Sequence, residues 1–232
     1  MPDKEVYVKI TKDGPYMVYG IKNIAQNIII TDENGVCIEY GVGKNFEIKT
    51  DPAAICRCGN TKNSPYCDGS HLSAEFDGKS TASFEPVLDG AVKYEGPNLV
   101  LIDKEELCGF ARFCDARGSI WNLIYKGDEE SDKQAIKEAN LCPAGRLMMF
   151  DKEGNSLESP QEISVSLLED KGLRISGPLW LRGGIRVENE NGESYEVRNK
   201  QTLCRCGKSK NKPFCDSAHR HVKFKADYKK AD

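Results

Sequence analysis

At 232 residues, 39% hydrophobic and 30% charged, with a formal net charge of -3, the chain has the make-up of a folded, soluble globular protein, which excludes a disordered or collagen-like one. It holds no run of 18 apolar residues, and "MPDKEVYVKI" lacks the basic start and apolar core of a secretion signal. No membrane span and a cytoplasmic location are therefore expected.

From the N-terminus, "VYVKI", "NIIIT", "VCIEY" and "FEIKT" predict strands, with Asn34-Gly35 as a hairpin turn between the middle two. Cys37, in an alternating apolar run, reads as a core residue. Next comes "CRCGNTKNSPYCDGSH", 56–71, with the spacing Cys-x-Cys-x8-Cys-x3-His. One intervening residue lets Cys56 and Cys58 approach a metal from a single bend. Cys67 and His71, four apart, share a face on one helical turn. Pro65 stiffens the loop and Asp68 can cap that turn. Ten cysteines in a chain neither short nor marked for secretion favour metal ligation over disulfides. The ligand set suits tetrahedral zinc or a [2Fe-2S] cluster, and spacing alone leaves both open.

Further on, Asp103 with Glu106, and Ser131 with Gln134, read as capping boxes opening helices near 104–114 and 132–141, the second stopped by Pro143 and Gly145. This small helical insert carries Cys108, Cys114 and Cys142. A Cys-x5-Cys with a distant Cys-Pro partly resembles the three-ligand pattern of [3Fe-4S] ferredoxins. On a continuous helix, residues six apart lie on nearly opposite sides, so buried structural cysteines are preferred and a third cluster is the alternative. Trp121 and Trp180 read as packing residues.

The last third repeats the first. "LWLRG", "GIRVE" and "SYEVR" predict strands around a turn at Asn191-Gly192. "CRCGKSKNKPFCDSAH", 204–219, then matches the first loop at ten of sixteen positions without a gap. "GPYMVYG" and "GPLWLRG" also correspond, and Phe76 and Phe224 each follow the last histidine by five residues. The first copy carries 15 more residues upstream of its loop, assigned here to longer hairpins. Residues 200–232 hold ten Lys or Arg against three Asp. No nucleic-acid recognition motif accompanies that excess, so a solvated face or docking to an acidic redox partner is preferred over nucleic acid.

Both loops resemble the signature of the CDGSH iron–sulfur domain (mitoNEET-like) family, in its tandem two-motif prokaryotic form. The resemblance implies a [2Fe-2S] cluster on Cys56, Cys58, Cys67 and His71 and another on Cys204, Cys206, Cys215 and His219. Single-motif members pair as homodimers, so it also implies a monomer in which the two copies pair as an intrachain pseudo-dimer. One departure is that Gly69-Ser70 becomes Ser217-Ala218, which predicts unequal sites. The expected architecture is α+β and β-dominated, with CDGSH-type β-rich repeats at 1–96 and 161–232 and the helical insert at 97–160. No phosphate loop, G-x-G-x-x-G or nucleophile elbow is present, so the chain is read as non-enzymatic. The expected role is electron transfer or cluster transfer with a redox partner or an apo-acceptor protein. The alternatives are a redox or iron sensor and a zinc-bound interaction module.

Overall fold

A computed structural model describes residues 5–228. Its first strands are β1 (Tyr7–Ile10), β2 (Tyr16–Tyr19), β3 (Asn23–Thr31), β4 (Cys37–Glu47) and β5 (Ala53–Ile55). The central part holds β6 (Val92–Glu95), β7 (Leu99–Asp103), helices α1 (Ile120–Leu123) and α2 (Glu129–Leu141), and β8 (Leu147–Asp151). Then follow β9 (Ser164–Asp170), β10 (Ile175–Arg182), β11 (Arg186–Glu188), β12 (Lys200–Leu203) and α3 (Ala218–His221). The architecture is α+β and dominated by strands.

The two repeats exchange a strand. One sheet runs β11-β1-β2-β5 and another β12-β10-β9-β3-β4. Strand β11 of the second repeat thus joins the first repeat's sheet, parallel to β1 with Tyr7 opposite Arg186. Reciprocally, β3 of the first repeat joins the second repeat's sheet, parallel to β9 with Ala25 opposite Ser166. The pairing has the reciprocity of a two-fold dimer within one chain. Alternation explains the inner face: Val8 and Ile10 of β1, Tyr16 and Val18 of β2, and Leu179 and Leu181 of β10 are all buried, and they meet Ile24, Leu167, Val187 and Leu203 in one core. Each such aliphatic side chain contributes about 1.5–3 kcal/mol. Because both repeats supply it, neither has a separate core.

The 15 extra residues of the first copy do lie in a hairpin, formed by β3 and β4. Their counterpart β11 has three residues and one return bridge, Glu188 to Ser194. Both turns are built alike: Asp32 Oδ1 accepts from the amides of Asn34 and Val36, and Asn189 Oδ1 from those of Asn191 and Glu193. "FEIKT" and "SYEVR" do not form strands of their own. Cys37 is buried with Ile29, Ala111 and Phe113, as expected of a core residue.

Between the repeats, β6-β7-β8 forms a three-stranded antiparallel sheet against which α1 and α2 pack, an element the capping signals did not announce. Helix α2 begins three residues before the anticipated start at 132, because Asp128 rather than Ser131 accepts the free amide. The helix expected at 104–114 is absent. Asp103 is committed to Arg146 through two bonds of 2.6 and 2.7 Å, and Phe110 and Arg112 both adopt positive φ, so two short 3-10 turns at Glu105–Leu107 and Phe113–Asp115 flank an irregular loop.

Candidate metal centres

Each cysteine loop folds back on the strand that leads into it. In the first, the Cys56 amide donates to Pro65 O and the Cys67 amide to Ala54 O, both at 2.9 Å, so the third cysteine returns beside the first. In the second, the Cys204 amide donates to Pro213 O at 2.7 Å and the Cys215 amide to Thr202 O at 2.9 Å. Asp68 pins the eight-residue excursion by accepting from the amides of Lys62 and Ser70; Asp216 does the same with Lys210 and Ala218. The histidines ride on single turns, Ser70–Leu72 and α3. The cysteine four residues earlier lies just outside that turn, not on it.

The candidate ligands form close pairs. Cys56 Sγ lies 3.6 Å from Cys58 Sγ, and Cys67 Sγ 3.4 Å from His71 Nδ1. The second loop has Cys204 and Cys206 at 3.8 Å and Cys215 Sγ and His219 Nδ1 at 3.4 Å. The Cys58 thiol hydrogen-bonds Cys56 and lowers its pKa to about 6, and Cys58 is raised in turn; Cys204 is lowered to about 7 by Cys206. Each Cys-x-Cys can thus carry one negative charge before any metal arrives. Burial raises Cys67, with Cys56 adding to the effect, and burial and Cys204 raise Cys215, so within each loop the two pairs lie within electrostatic reach. Among the described residues, no three His, Cys, Asp or Glu side chains gather around one point tightly enough for a single ion. A tetrahedral zinc site would draw all four ligands to within about 3.8 Å of one another.

Cys108, Cys114 and Cys142 line one cavity with Pro143, Arg146 and Leu147. The broken backbone at 109–112 brings together two thiols that a continuous helix would have separated. Burial, with Cys142 adding its charge, raises Cys114 to about 12. No other Cys, and no His, Asp or Glu, lines that cavity. The Arg146 guanidinium, held by Asp103, lines the same cavity as the Cys108 thiol.

Comparison with known proteins bears on these three sites. A family described as "Iron-binding zinc finger CDGSH type" matches residues 13–72 and 176–220, one match around each loop. The chain carries two CDGSH-type domains in tandem. A Drosophila virilis protein, "CDGSH iron-sulfur domain-containing protein 2 homolog", is 54% identical over 33 residues, which are 14% of this chain and 25% of that one. The central residues 94–152 match a second family, "Divergent 4Fe-4S mono-cluster". No solved structure matches. These matches mark the tandem CDGSH chain as an iron–sulfur-binding protein. The central match also runs against the preference for structural cysteines at 108, 114 and 142.

Arg57 and Arg205, identical in the two copies, lie between the paired cysteines of the tandem CDGSH loops. Both are buried. Arg57 donates to the carbonyls of Thr11, Gly14 and Gly78 and lies over the Phe76 ring. Arg205 donates to Glu169 and Tyr228 and lies over Phe224. These contacts explain the phenylalanine five residues past each histidine. The two loops also meet directly: a Cβ on Gly59 would lie 2.7 Å from Cys206 O, and one on Gly207 would press still more closely on Cys58 O. Both glycines have positive φ, so no other residue suits the bend or the contact. The Gly69-Ser70 to Ser217-Ala218 change has a local effect. The Ser70 hydroxyl and nearby amides hold Asp68 well below the usual carboxylate range, and Ala218 has no hydroxyl to offer Asp216.

Proposed function

We propose that the chain carries two [2Fe-2S] clusters, one on Cys56, Cys58, Cys67 and His71 and one on Cys204, Cys206, Cys215 and His219. A third, on Cys108, Cys114 and Cys142, is of a type that takes three protein thiolates. The chain acts without enzymatic turnover, as an electron carrier or a cluster donor for a partner protein. The observation that carries the reading is the pairing of candidate ligands: two close pairs per loop suit a two-iron cluster, in which each iron takes two protein ligands, and the iron–sulfur family matches around the loops favour it over zinc. When bound, such clusters supply one-electron oxidation and reduction. The protein's own part is to bury the sulfurs of both Cys-x-Cys pairs and of Cys215, to hold Nδ1 of each histidine toward the site, and to place a buried arginine beside each Cys-x-Cys. Of the ten basic residues counted at 200–232, Lys200 and Arg205 are internal: Lys200 Nζ caps the carbonyls of Ala139 and Asn140. Residues 229–232 lie outside the described structure. The remaining basic face suits an acidic protein partner, and no helix among the described residues is long and apolar enough to cross a membrane.

Anaerobically purified protein tests this reading. It should be coloured, contain iron and sulfide, and bleach with dithionite. A colourless, zinc-containing chain contradicts the reading.

A further inference from the structure

The two CDGSH sites differ in what stands over the histidine. At the first, Cys67 and His71 are partly exposed, Leu72 beyond them is 84% exposed, and no aromatic ring packs on His71 among the described residues. At the second, Cys215 and His219 are each 3% exposed. The Phe110 ring meets His219 edge-on at 6.4 Å between centroids, and the Arg220 guanidinium lies 4.3 Å from the centroid of the same Phe110 ring. The cover is fixed from below. Gly109 packs so closely on Thr202 that an added Cβ would lie 3.2 Å from its hydroxyl, and Cys108 and Cys114 anchor the loop at either end in the central cavity. The central segment occurs once in the chain, so only one of the two sites receives this cover.

We infer that the two sites divide the work of cluster transfer: the first hands its cluster to an acceptor protein, and the second retains its own because Phe110 closes over His219. The inference rests on the reading that both sites hold [2Fe-2S] clusters. Transfer moves the cluster intact as cargo. Three Cys–Fe bonds and one His–Fe bond break here, four Cys–Fe bonds form on the acceptor, and no electron changes hands. Two of the protons displaced from the acceptor's thiols end on Cys58 and Cys67, the Cys56–Cys58 pair keeping one negative charge, and the other two go to water. Release requires the ligand-bearing turn to open locally, which is easier where the turn is exposed than where ring contacts must first be broken. Losing the Phe110 contacts with His219 and Arg220 together is worth roughly tenfold in rate.

The test uses the full, loaded chain and a plant-type apo-ferredoxin with four cysteines as acceptor, following the appearance of holo-ferredoxin. The wild type should transfer in two phases of equal amplitude. Cys215→Ser, which leaves the first site intact, should keep the fast phase. Cys67→Ser, which leaves the second, should transfer roughly tenfold more slowly or less, and adding Phe110→Ala to it should bring the rate up by about that factor. A single wild-type phase involving both clusters, equal rates in the two single-site variants, or no response to Phe110→Ala overturns the inference. A colourless wild-type chain instead removes the cluster reading beneath it, and the two failures are distinguishable by eye.

Discussion

At the scale of single residues, the matched arginines differ in a way that their shared position conceals. Arg57 spends its bonds on three neutral carbonyls, whereas Arg205 is paired with the Glu169 carboxylate at 2.6 Å. The first site therefore keeps more positive charge beside its sulfurs and is also the more exposed. Both effects favour taking up an electron. A redox titration followed by visible absorption should resolve two CDGSH potentials, and Cys215→Ser should leave the higher one; a single shared potential contradicts this. The Asp103–Arg146 pair is the residue-scale key to the central site. Removing one partner leaves a buried charge unmet, so Asp103→Ala should cost about 3–5 kcal/mol in denaturant unfolding. An equally stable variant would show that the pair is not structural. All eight CDGSH ligand candidates could be read from the repeated spacing. The arginine's role could not, because its partners come from residues 11–14, 78, 169 and 228, far apart in the chain.

At the scale of elements, the local signals were right about type where nothing competed and wrong where a side chain had a distant partner. Asn34-Gly35 and Asn191-Gly192 turn as their sequence demands. Asp103 resembles a cap but is engaged by Arg146 from beyond α2, so the helix it should have opened never forms. That failure brings Cys108 and Cys114 to one cavity, which periodicity argued against. Helix α2 carries a further consequence. Burial raises the Glu138 carboxyl above its ordinary range, and its Oε2 has no partner. A carboxyl whose folded pKa is raised makes the fold less stable as pH climbs through the ordinary carboxylate range toward that raised value. Glu138→Gln should therefore gain stability relative to wild type between acid and neutral pH, measured as thermal midpoints across that interval. A difference that stays flat with pH contradicts the assignment.

At the scale of the whole molecule, the repeat becomes a pair through exchange of β3 and β11 and through the Gly59 and Gly207 contact. The repeat was plain in the sequence. The exchange was not, because parallel pairing between strands about 140 and 180 residues apart leaves no local trace. Gly207→Ala places a side chain at positive φ against the Cys58 carbonyl and should cost at least about 1–3 kcal/mol while loosening both sites together. An effect confined to the second site would argue against the paired arrangement. The central segment makes the pair asymmetric, closing one site and supplying three further thiols. The account as a whole stands on the number of clusters it assigns. Iron and acid-labile sulfide should be counted per chain in anaerobically isolated protein and in the Cys108→Ser, Cys114→Ser, Cys142→Ser triple variant. The account predicts about seven or eight irons in the wild type, falling to about four in the variant. Zinc in place of iron, or about four irons in both proteins, would contradict it.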